Sequence, residues 1–241
     1  MSTSSTRSAL PGLLLRVSGN WAHFKKPETN NNPLTHDFIT KTALLGLMGA
    51  VLGIERREMR PMFPQWSDDL IYGVQVRGAV KKASWAFTMR GVVNQNDKAP
   101  KPMELLKNPD FTVALASRHE RSDQSLQNFA TCIRESRAHY TPILGLHNCA
   151  ANLEFLEAGN FQTHNSEYST KGFALRAHSP RFNFDEDFRL GFERIPTHQN
   201  DDMWNRPERY VEVCYGDEGR EIALQSGEHF RFDNGDAWCL V

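Results

Sequence analysis

The sequence predicts an α+β protein: a ferredoxin-like domain with strands and helices in the order β-α-β-β-α-β, followed by a β-rich C-terminal region. Two observations lead to this prediction. In the first half, apolar residues recur at helical spacing in two segments that alternate with strand-like segments. After Pro142 the pattern changes to short aromatic stretches of alternating apolar and polar residues, which is typical of strands. With 241 residues, the chain can bury a substantial core.

The first half supplies five elements. In chain order we expect a strand at 11–18, a helix at 38–54, a strand at 70–80, a strand at 111–117 and a helix at 123–138. Thr40 or Asp37 can cap the first helix, and Asp123 can cap the second. Residues 81–103 contain two short β-capable pieces around a polar, proline-containing tip, which predicts a protruding β-hairpin.

The second half supplies short strands only. They are predicted at 172–178, 181–195, 210–215, 220–224, 228–232 and 236–240. We therefore divide the chain into a ferredoxin-like domain at 1–148, including the hairpin region 77–103, and a β-rich C-terminal region at 149–241.

The net charge of -1 conceals an asymmetry between the halves. Residues 1–118 contain 16 Lys and Arg against 9 Asp and Glu, whereas residues 119–241 contain 12 against 20. This distribution favours a nucleic-acid surface on the first half, and a second half that faces solvent or basic protein partners.

Several classes of function lack support in the sequence. The apolar run from Ala43 to Ile54 is far shorter than the ~20 residues of a membrane span, and the N-terminus lacks a signal-peptide core, so we expect a cytoplasmic protein without membrane contact. The four cysteines form no CxxC pair, and His147 with Cys149 is the only close His/Cys pair. No P-loop, GxSxG, HExxH or dinucleotide fingerprint occurs, so we expect no metal or cofactor.

The loop before the first helix combines aromatic, cationic and amide side chains, a mixture that suits an unpaired nucleic-acid strand. Within 21–42 the candidate RNA-binding residues are Trp21, His23, Lys25, Lys26, Asn31, Thr35, His36, Lys41 and Thr42. The orphan N–H groups at the start of the helix would face the same loop and favour a phosphate.

Three glycines punctuate that helix. Gly46, Gly49 and Gly53 are three and four residues apart, so they share one face and predict close packing against another backbone. A GxxG clamp on RNA would need basic interior residues in a loop, and Leu47-Met48 does not supply them.

The hairpin segment 77–101 is also basic, with Asp97 as its single acid. Its candidate RNA-binding residues are Arg77, Lys81, Lys82, Trp85 and Arg90. Cations can follow phosphates while aromatic rings stack on bases. The alternative is a solvated hairpin with a small aromatic core.

A catalytic alternative is possible in principle. Metal-free RNA cleavage needs a base, an acid and a cation, and His23, His36, Lys81 and Lys82 offer these groups. The pairs His119-Glu120 and Asp201-Asp202 are interpreted as solvated turns rather than as acid/base or metal sites.

Residues 40–53, TKTALLGLMGAVLG, follow a first strand and a basic loop, and this combination resembles the N-terminus of the CRISPR-associated protein 5 family. Two further segments are similar to that family: PMELLKNPDFTVALAS at 102–117 and YTPILGLHNCAANL at 140–153. The resemblance covers about 1–153, and the loop phrase KPETNNNPLTHDFITKTAL is most similar to the type I-B branch.

The resemblance implies an RRM-like domain of the RAMP class in a type I Cascade surveillance complex for antiviral defence. The implied role is to cap the 5′ handle of the guide RNA (crRNA), with the 77–103 hairpin as the family's thumb. The implied protein partners are the backbone subunit, protein 7, and the large subunit, protein 8. Target DNA would be reached through the complex.

The resemblance also bears on catalysis. Type I-C relatives process the guide with a Tyr, a Lys and a His, whereas this chain has His36 at the position where that tyrosine is expected. Type I-B systems carry a separate processing nuclease, so we expect no enzyme. Two alternatives remain open: a metal-independent endoribonuclease on the same fold, and a protein-only scaffold whose basic half binds an acidic partner.

Overall fold

The computed structural model describes residues 7–29, 31–90, 98–181, 189–200 and 209–241, and at 89, 90, 98 and 99 it describes the backbone only. The fold is mixed α/β and rich in strands. Its helices are α1 (Lys41–Leu52), α2 (Arg56–Asp69) and α3 (Glu120–Arg134). Its strands are β1 (Ala9–Ser18), β2 (Trp21–Ala22), β3 (Leu70–Val76), β4 (Lys82–Arg90), β5 (Lys98–Lys107), β6 (Asp110–Ser117), β7 (Asn152–Asn165), β8 (Tyr168–Thr170), β9 (Ala174–Leu175), β10 (Pro180–Arg181), β11 (Leu190–Pro196), β12 (Tyr210–Gly216), β13 (Ile222–Leu224), β14 (Glu228–Phe232) and β15 (Ala237–Trp238).

A six-stranded antiparallel sheet organises the molecule, with strand order β15-β14-β7-β1-β6-β3. Beyond β15, the C-terminal Val241 exchanges two backbone hydrogen bonds with Tyr72 on β3, at 3.1 and 3.0 Å. The chain end therefore bridges the two sides of the sheet and covers the edge of β3, which would otherwise present unpaired backbone groups.

Both faces of β1 are buried. Leu13, Leu15 and Val17 on β1 point towards the helices, whereas Leu10 and Leu14 point into a second cluster, which includes Phe161, Phe232 and Trp238. Burial on both faces explains why β1 is an almost continuous apolar run rather than an alternating one.

Helix α1, Lys41–Leu52, is shorter at both ends than the predicted helix at 38–54. The Thr40 side chain accepts a hydrogen bond from the Ala43 N–H, so the helix starts at Lys41 and not at residue 38. Gly53 ends the helix in the left-handed conformation, with φ of 77°, which favours glycine. Of the three glycines predicted to share a packing face, Gly53 also lies against His139, but Gly46 does not pack closely, because a Cβ there would have only Phe63 Cζ within 4 Å among the described residues, at 3.9 Å.

Helix α2 was not predicted. Its sequence contains Pro61 and Pro64, which normally interrupt a helix. A capping box between Glu55 and Glu58 starts this helix, and its buried face includes Phe63 and Trp66, so packing outweighs the local preference.

The two predicted regions share one sheet. Strand β7, which lies beyond the predicted division after residue 148, pairs with β1 along ten residues, and β14 pairs with β7. The remaining C-terminal strands form two small sheets, β10-β13-β8 and β11-β12-β9. Over the described part of the chain, no helix is long and apolar enough to cross a membrane.

Candidate nucleic-acid interface

The two segments that the sequence singles out lie side by side. Strands β4 and β5 form an antiparallel hairpin, and β2 pairs with the end of β5 through Trp21 with Lys107. Across this junction the Glu104 N–H donates to the Pro33 carbonyl at 3.0 Å. The loop that leads to α1 and the hairpin therefore form one surface, which we call the loop-hairpin surface (residues 21–29, 31–37, 81–90 and 98–107).

Aromatic rings occupy the centre of this surface. Trp21 and Trp85 meet edge to face with ring centroids 4.7 Å apart, and Phe87 lies 6.4 Å from Trp85. Trp85 keeps 41% of its surface exposed. An exposed indole that is held by a second ring is suited to stack on a nucleic-acid base.

Exposed polar groups surround the rings. Lys25, Asn31 and Lys81 are exposed, and none of their side chains has a partner among the residues that the structure describes. Arg77 donates to the Thr112 hydroxyl at 3.2 Å and lies 3.7 Å from Asp110. The side chain of Arg90 lies outside the described residues. Lys25 and Lys81 are therefore the exposed lysines of this surface that lack a partner within the described part of the chain.

Lys82 is held by neighbours within the chain. Its Nζ lies 2.7 Å from Asp37 Oδ1 and 3.3 Å from Glu104 Oε1, and it donates to the Thr35 carbonyl at 3.1 Å. Burial lowers the pKa of Lys82, but the hydrogen bond with Asp37 and the nearby carboxylates raise it above its ordinary value. Lys82 thus ties the hairpin to the loop.

A carboxylate from the C-terminal half holds the loop from the other side. Glu193 on β11 is buried, and it lies 3.0 Å from Lys26 Nζ and 3.0 Å from His36 Nδ1. It also accepts from the Asp37 N–H at 3.2 Å. Burial raises the pKa of Glu193, but the hydrogen bonds from His36 and Lys26 outweigh it and lower the pKa to about 2. Tyr215 on β12 adds a hydrogen bond to Asp37 at 2.6 Å.

Sequence reasoning did not identify Glu193, Asp37, Glu104 or Tyr215 as part of this region. No local pattern marks them, because each contributes through a contact that is distant along the chain. The acidic half of the molecule supplies Glu193 and Tyr215, and so it supports the basic loop directly.

Three other predicted residues are interior. His23 is buried, and its Nδ1 lies 2.7 Å from the Glu104 carbonyl, while burial lowers its pKa. Thr35 is fully buried and accepts from the Phe24 N–H at 2.9 Å. His36 is 1% exposed, and its Nε2 has no hydrogen-bond partner among the residues that the structure describes. These side chains fix the shape of the loop.

The side chains at the start of α1 also point into the protein interior. Lys41 is 3% exposed and donates to the Ser67 carbonyl at 2.8 Å, and burial lowers its pKa to about 7. Thr42 is half-buried, with its hydroxyl 3.2 Å from that of Thr40. Neither side chain extends onto the loop-hairpin surface in this conformation.

The geometry offers little for acid/base chemistry. Of the proposed set, His23 and His36 are buried and Lys82 is paired with Asp37, so Lys81 is the one member that is both exposed and without a partner among the described residues. His119 and Glu120 are exposed at the start of α3, whereas Asp201 and Asp202 lie outside the described residues. Within the described ranges, no three His, Cys, Asp or Glu side chains could hold a metal ion together.

Comparison with known proteins finds a matching family model and solved structures of similar fold. A family model described as "CRISPR-associated protein (Cas_Cas5)" matches residues 12–212. A solved structure titled "CRISPR RNA-guided surveillance complex" is similar with a TM-score of 0.51 and 13% identity, over 90% of this chain and 91% of the other. A CRISPR protein from Archaeoglobus fulgidus has a TM-score of 0.53 and 10% identity, over 95% and 98% of the two chains. No curated protein sequence matches.

Proposed function

This chain belongs to the CRISPR-associated protein Cas5 family, and from that membership we propose that it is a non-catalytic subunit of a type I surveillance complex. In this role it binds the guide RNA and caps its 5′ handle. The loop-hairpin surface is the binding site.

One observation carries the proposal: the basic loop and the hairpin meet in a single surface, although Trp21 and Trp85, whose rings are in contact there, are 64 residues apart in the sequence. The same surface carries the exposed ring of Trp85 and the exposed side chains of Lys25 and Lys81. Stacking surfaces beside cations favour a single-stranded nucleic acid over a duplex, whose bases are not available for stacking.

We assign the fold to the ferredoxin-like, RAMP class. The order β7-β1-β6-β3, with helices between β1 and β3 and between β6 and β7, supports this assignment. The β4–β5 hairpin is inserted between β3 and β6, which are the second and third strands of the motif in chain order, and we propose that it acts as the thumb that clamps the RNA.

The partners follow from the same proposal. They are the backbone subunit, protein 7, the large subunit, protein 8, and target DNA reached through the complex. The similar solved structure is itself titled a CRISPR RNA-guided surveillance complex, which supports assembly with RNA and other subunits. The phrase from Lys26 to Leu44 favours the type I-B branch.

We propose that the chain does not cut RNA. A general base must come within hydrogen-bond reach of the 2′-hydroxyl, and His36 Nε2 is buried beneath the loop. The test is incubation of the purified protein with CRISPR repeat RNA in EDTA. Cleavage that is lost in His36→Ala would favour the endoribonuclease alternative.

Binding of handle RNA is the central test. Filter binding is measured as salt rises, with a scrambled RNA of equal length and composition as the control. Displacement of counterions should give a steep fall in affinity with salt. An absence of RNA binding, together with binding to an acidic protein, would favour the protein-only scaffold.

A further inference from the structure

The β4–β5 hairpin is attached to the rest of the protein at its root. Among the described residues its only other strand partner is β2, which pairs with Leu106 and Lys107 at the end of β5. The outer edge of β4 has no strand partner in the described ranges. Because a two-stranded hairpin is only marginally stable in water by itself, the contacts at the root set the direction in which this hairpin projects.

The N-terminal half holds the β5 side of the root. Besides the pairing with β2, the Glu104 N–H donates to the Pro33 carbonyl at 3.0 Å, and the Asn108 N–H donates to the Asn20 carbonyl at 2.8 Å. All of these contacts lie along one edge of the hairpin. A second point of attachment, on the β4 side, is needed to prevent rotation about that edge.

The C-terminal half supplies that second attachment through two residues. The Val80 N–H, just before β4, donates to Asp217 Oδ1 at 3.1 Å. Lys82, the first residue of β4, has its Nζ 2.7 Å from Asp37 Oδ1. The other oxygen of Asp37 accepts from the Tyr215 hydroxyl at 2.6 Å. The end of β12 and the turn that follows it therefore reach the hairpin twice, once directly and once through Asp37.

Tyr215 is held firmly by its surroundings. It is buried, and its ring meets Phe38 edge to face with centroids 5.3 Å apart. A side chain at Gly191 on the neighbouring strand would collide with the ring. Burial and the nearby Asp37 raise the pKa of Tyr215, so its hydroxyl stays protonated and donates.

Asp217 is fixed by its own turn. It is buried, its N–H donates to the Arg189 carbonyl at 3.1 Å, and its carbonyl accepts from the Arg220 N–H at 3.1 Å. Its Oδ1 also accepts from the Glu218 N–H at 3.1 Å. The turn is closed tightly, since a Cβ at Gly216 would lie 2.5 Å from the Arg220 carbonyl oxygen. The carboxylate is therefore a fixed acceptor and not a solvated surface group.

We propose that Tyr215 and Asp217 are positioning residues for RNA binding: they hold the first strand of the hairpin so that Trp85 stays against the loop. They act through Val80 and Asp37 and not by contact with RNA. If the hairpin takes this orientation only part of the time, the apparent affinity falls in proportion. The inference rests on the proposed function, because its consequence is a change in handle-RNA binding.

The first test removes one hydroxyl. Tyr215→Phe keeps the ring and should weaken handle-RNA binding about fivefold, the change in an equilibrium that the loss of one hydrogen bond produces. The control is Tyr168→Phe on β8, which removes a buried hydroxyl 2.8 Å from His178 Nδ1, on a strand that pairs with β13 and not with the hairpin. Melting temperatures should fall alike in both variants, and RNA affinity only in Tyr215→Phe. Equal RNA affinities would overturn the inference.

The second test separates the hydrogen bond of Asp217 from its charge. Asp217→Ala removes the acceptor for the Val80 N–H and should also weaken binding about fivefold. Asp217→Asn keeps an oxygen acceptor and should retain most of the affinity that Asp217→Ala loses. An equal loss in the two variants, or no loss in Asp217→Ala, would contradict the role of Asp217.

A double-mutant cycle tests the connection through Asp37. Tyr215→Phe and Lys82→Met interrupt the same chain of contacts, so their effects on RNA affinity should not add. Additive effects would show that Tyr215 acts by another route and would overturn the assignment.

The last measurement needs no RNA. Electron spin resonance measures the distance between labels at Thr88 on the hairpin and Gln127 on α3, in a Cys132→Ser background that removes the cysteine that is not buried. The distance distribution should broaden in Tyr215→Phe and stay unchanged in Tyr168→Phe. An unchanged distribution in Tyr215→Phe would overturn the inference. If the wild-type chain binds no handle RNA, the proposed function fails, and this measurement still decides whether Tyr215 positions the hairpin.

Discussion

His36 Nδ1 lies 3.0 Å from Glu193 Oε2, although 157 residues separate them in the chain. Both side chains are buried, and the same carboxylate also engages Lys26. A strand of the acidic C-terminal half therefore determines the conformation of the basic loop. The two halves act as one unit, in spite of their opposite charge balance.

Glu193→Gln should lower the free energy of unfolding by about 3 kcal/mol at pH 7, because it removes one partner of a buried ionic contact. Folding lowers the pKa of Glu193 from 4.5 to about 2, so its contribution is complete above about pH 4.5 and is lost as pH falls through about 2. Urea denaturation at pH 7 and pH 3 measures this difference, which should be smaller at pH 3. The control is Glu212→Gln, at an exposed ion pair with Arg176, where we expect a change below about 1 kcal/mol. Equal losses in the two variants would contradict the prediction.

Lys25→Ala and Lys81→Ala should each weaken handle-RNA binding and reduce its salt dependence by about one phosphate, with an unchanged melting temperature. Both amines are exposed and have no partner in the described part of the chain. Lys82→Ala should instead lower stability as well, because Lys82 holds Asp37 and Glu104. Filter binding at several salt concentrations gives the slopes. The control is Lys171→Ala, at an exposed lysine of the C-terminal half. An equally large change of the salt slope in this variant would contradict the assignment of the binding site to the loop-hairpin surface.

Trp85→Ala should lower RNA affinity by about 1–3 kcal/mol, the value of one base stacked on an aromatic ring. Trp85 is 41% exposed, so its loss should affect folding less than it affects binding. Phe192→Ala, at the 55% exposed ring of β11, is the matched control and should bind RNA normally. Fluorescence titration with handle RNA compares the two, and equal affinities would exclude base stacking on Trp85.

Gly49→Leu should destabilise the fold by about 1–3 kcal/mol, because a side chain at this position collides with buried Met59. Gly46→Ala, one turn earlier with open space above it, should stabilise the fold by up to about 1 kcal/mol. Chemical denaturation of both variants measures the contrast. Two variants of equal stability would show that the two glycines do not differ in their surroundings.

Lys41→Met should change how stability depends on pH above neutrality. Burial lowers the pKa of Lys41 from 10.5 to about 7, so between these values the unfolded chain holds the proton more tightly than the folded one. The stability contributed by this group therefore rises from pH 7 to pH 9.5. Chemical denaturation across this range measures the free energy of unfolding of both proteins. Relative to wild type, Lys41→Met should be more stable at pH 7 than at pH 9.5. If the stability of the two proteins changed with pH in parallel, Lys41 would be exposed to solvent, as the prediction that it binds RNA required.

Several elements could be predicted because their signals are local. Thr40 and Gly53 bound α1 through hydrogen bonds within a few residues, and both are visible in the sequence. The hairpin was predicted at 81–103 and extends to Lys107, because its last residues pair with β2. Helix α2 was not predicted, because Pro61 and Pro64 disfavour a helix locally. The burial of Trp66 favours this helix, but only in the folded chain.

The sequence by itself determined the family, the alternation of the first strands and helices, and the basic composition of the loop and hairpin. Only the tertiary structure decided which of those cations are available: Lys25 and Lys81 are exposed, whereas Lys26 and Lys82 are paired and Lys41 is buried. The physical reason is that composition and periodicity depend on near neighbours in the chain. Burial and ion pairing depend instead on strands brought together from opposite ends of it, as Glu193 is brought to the loop.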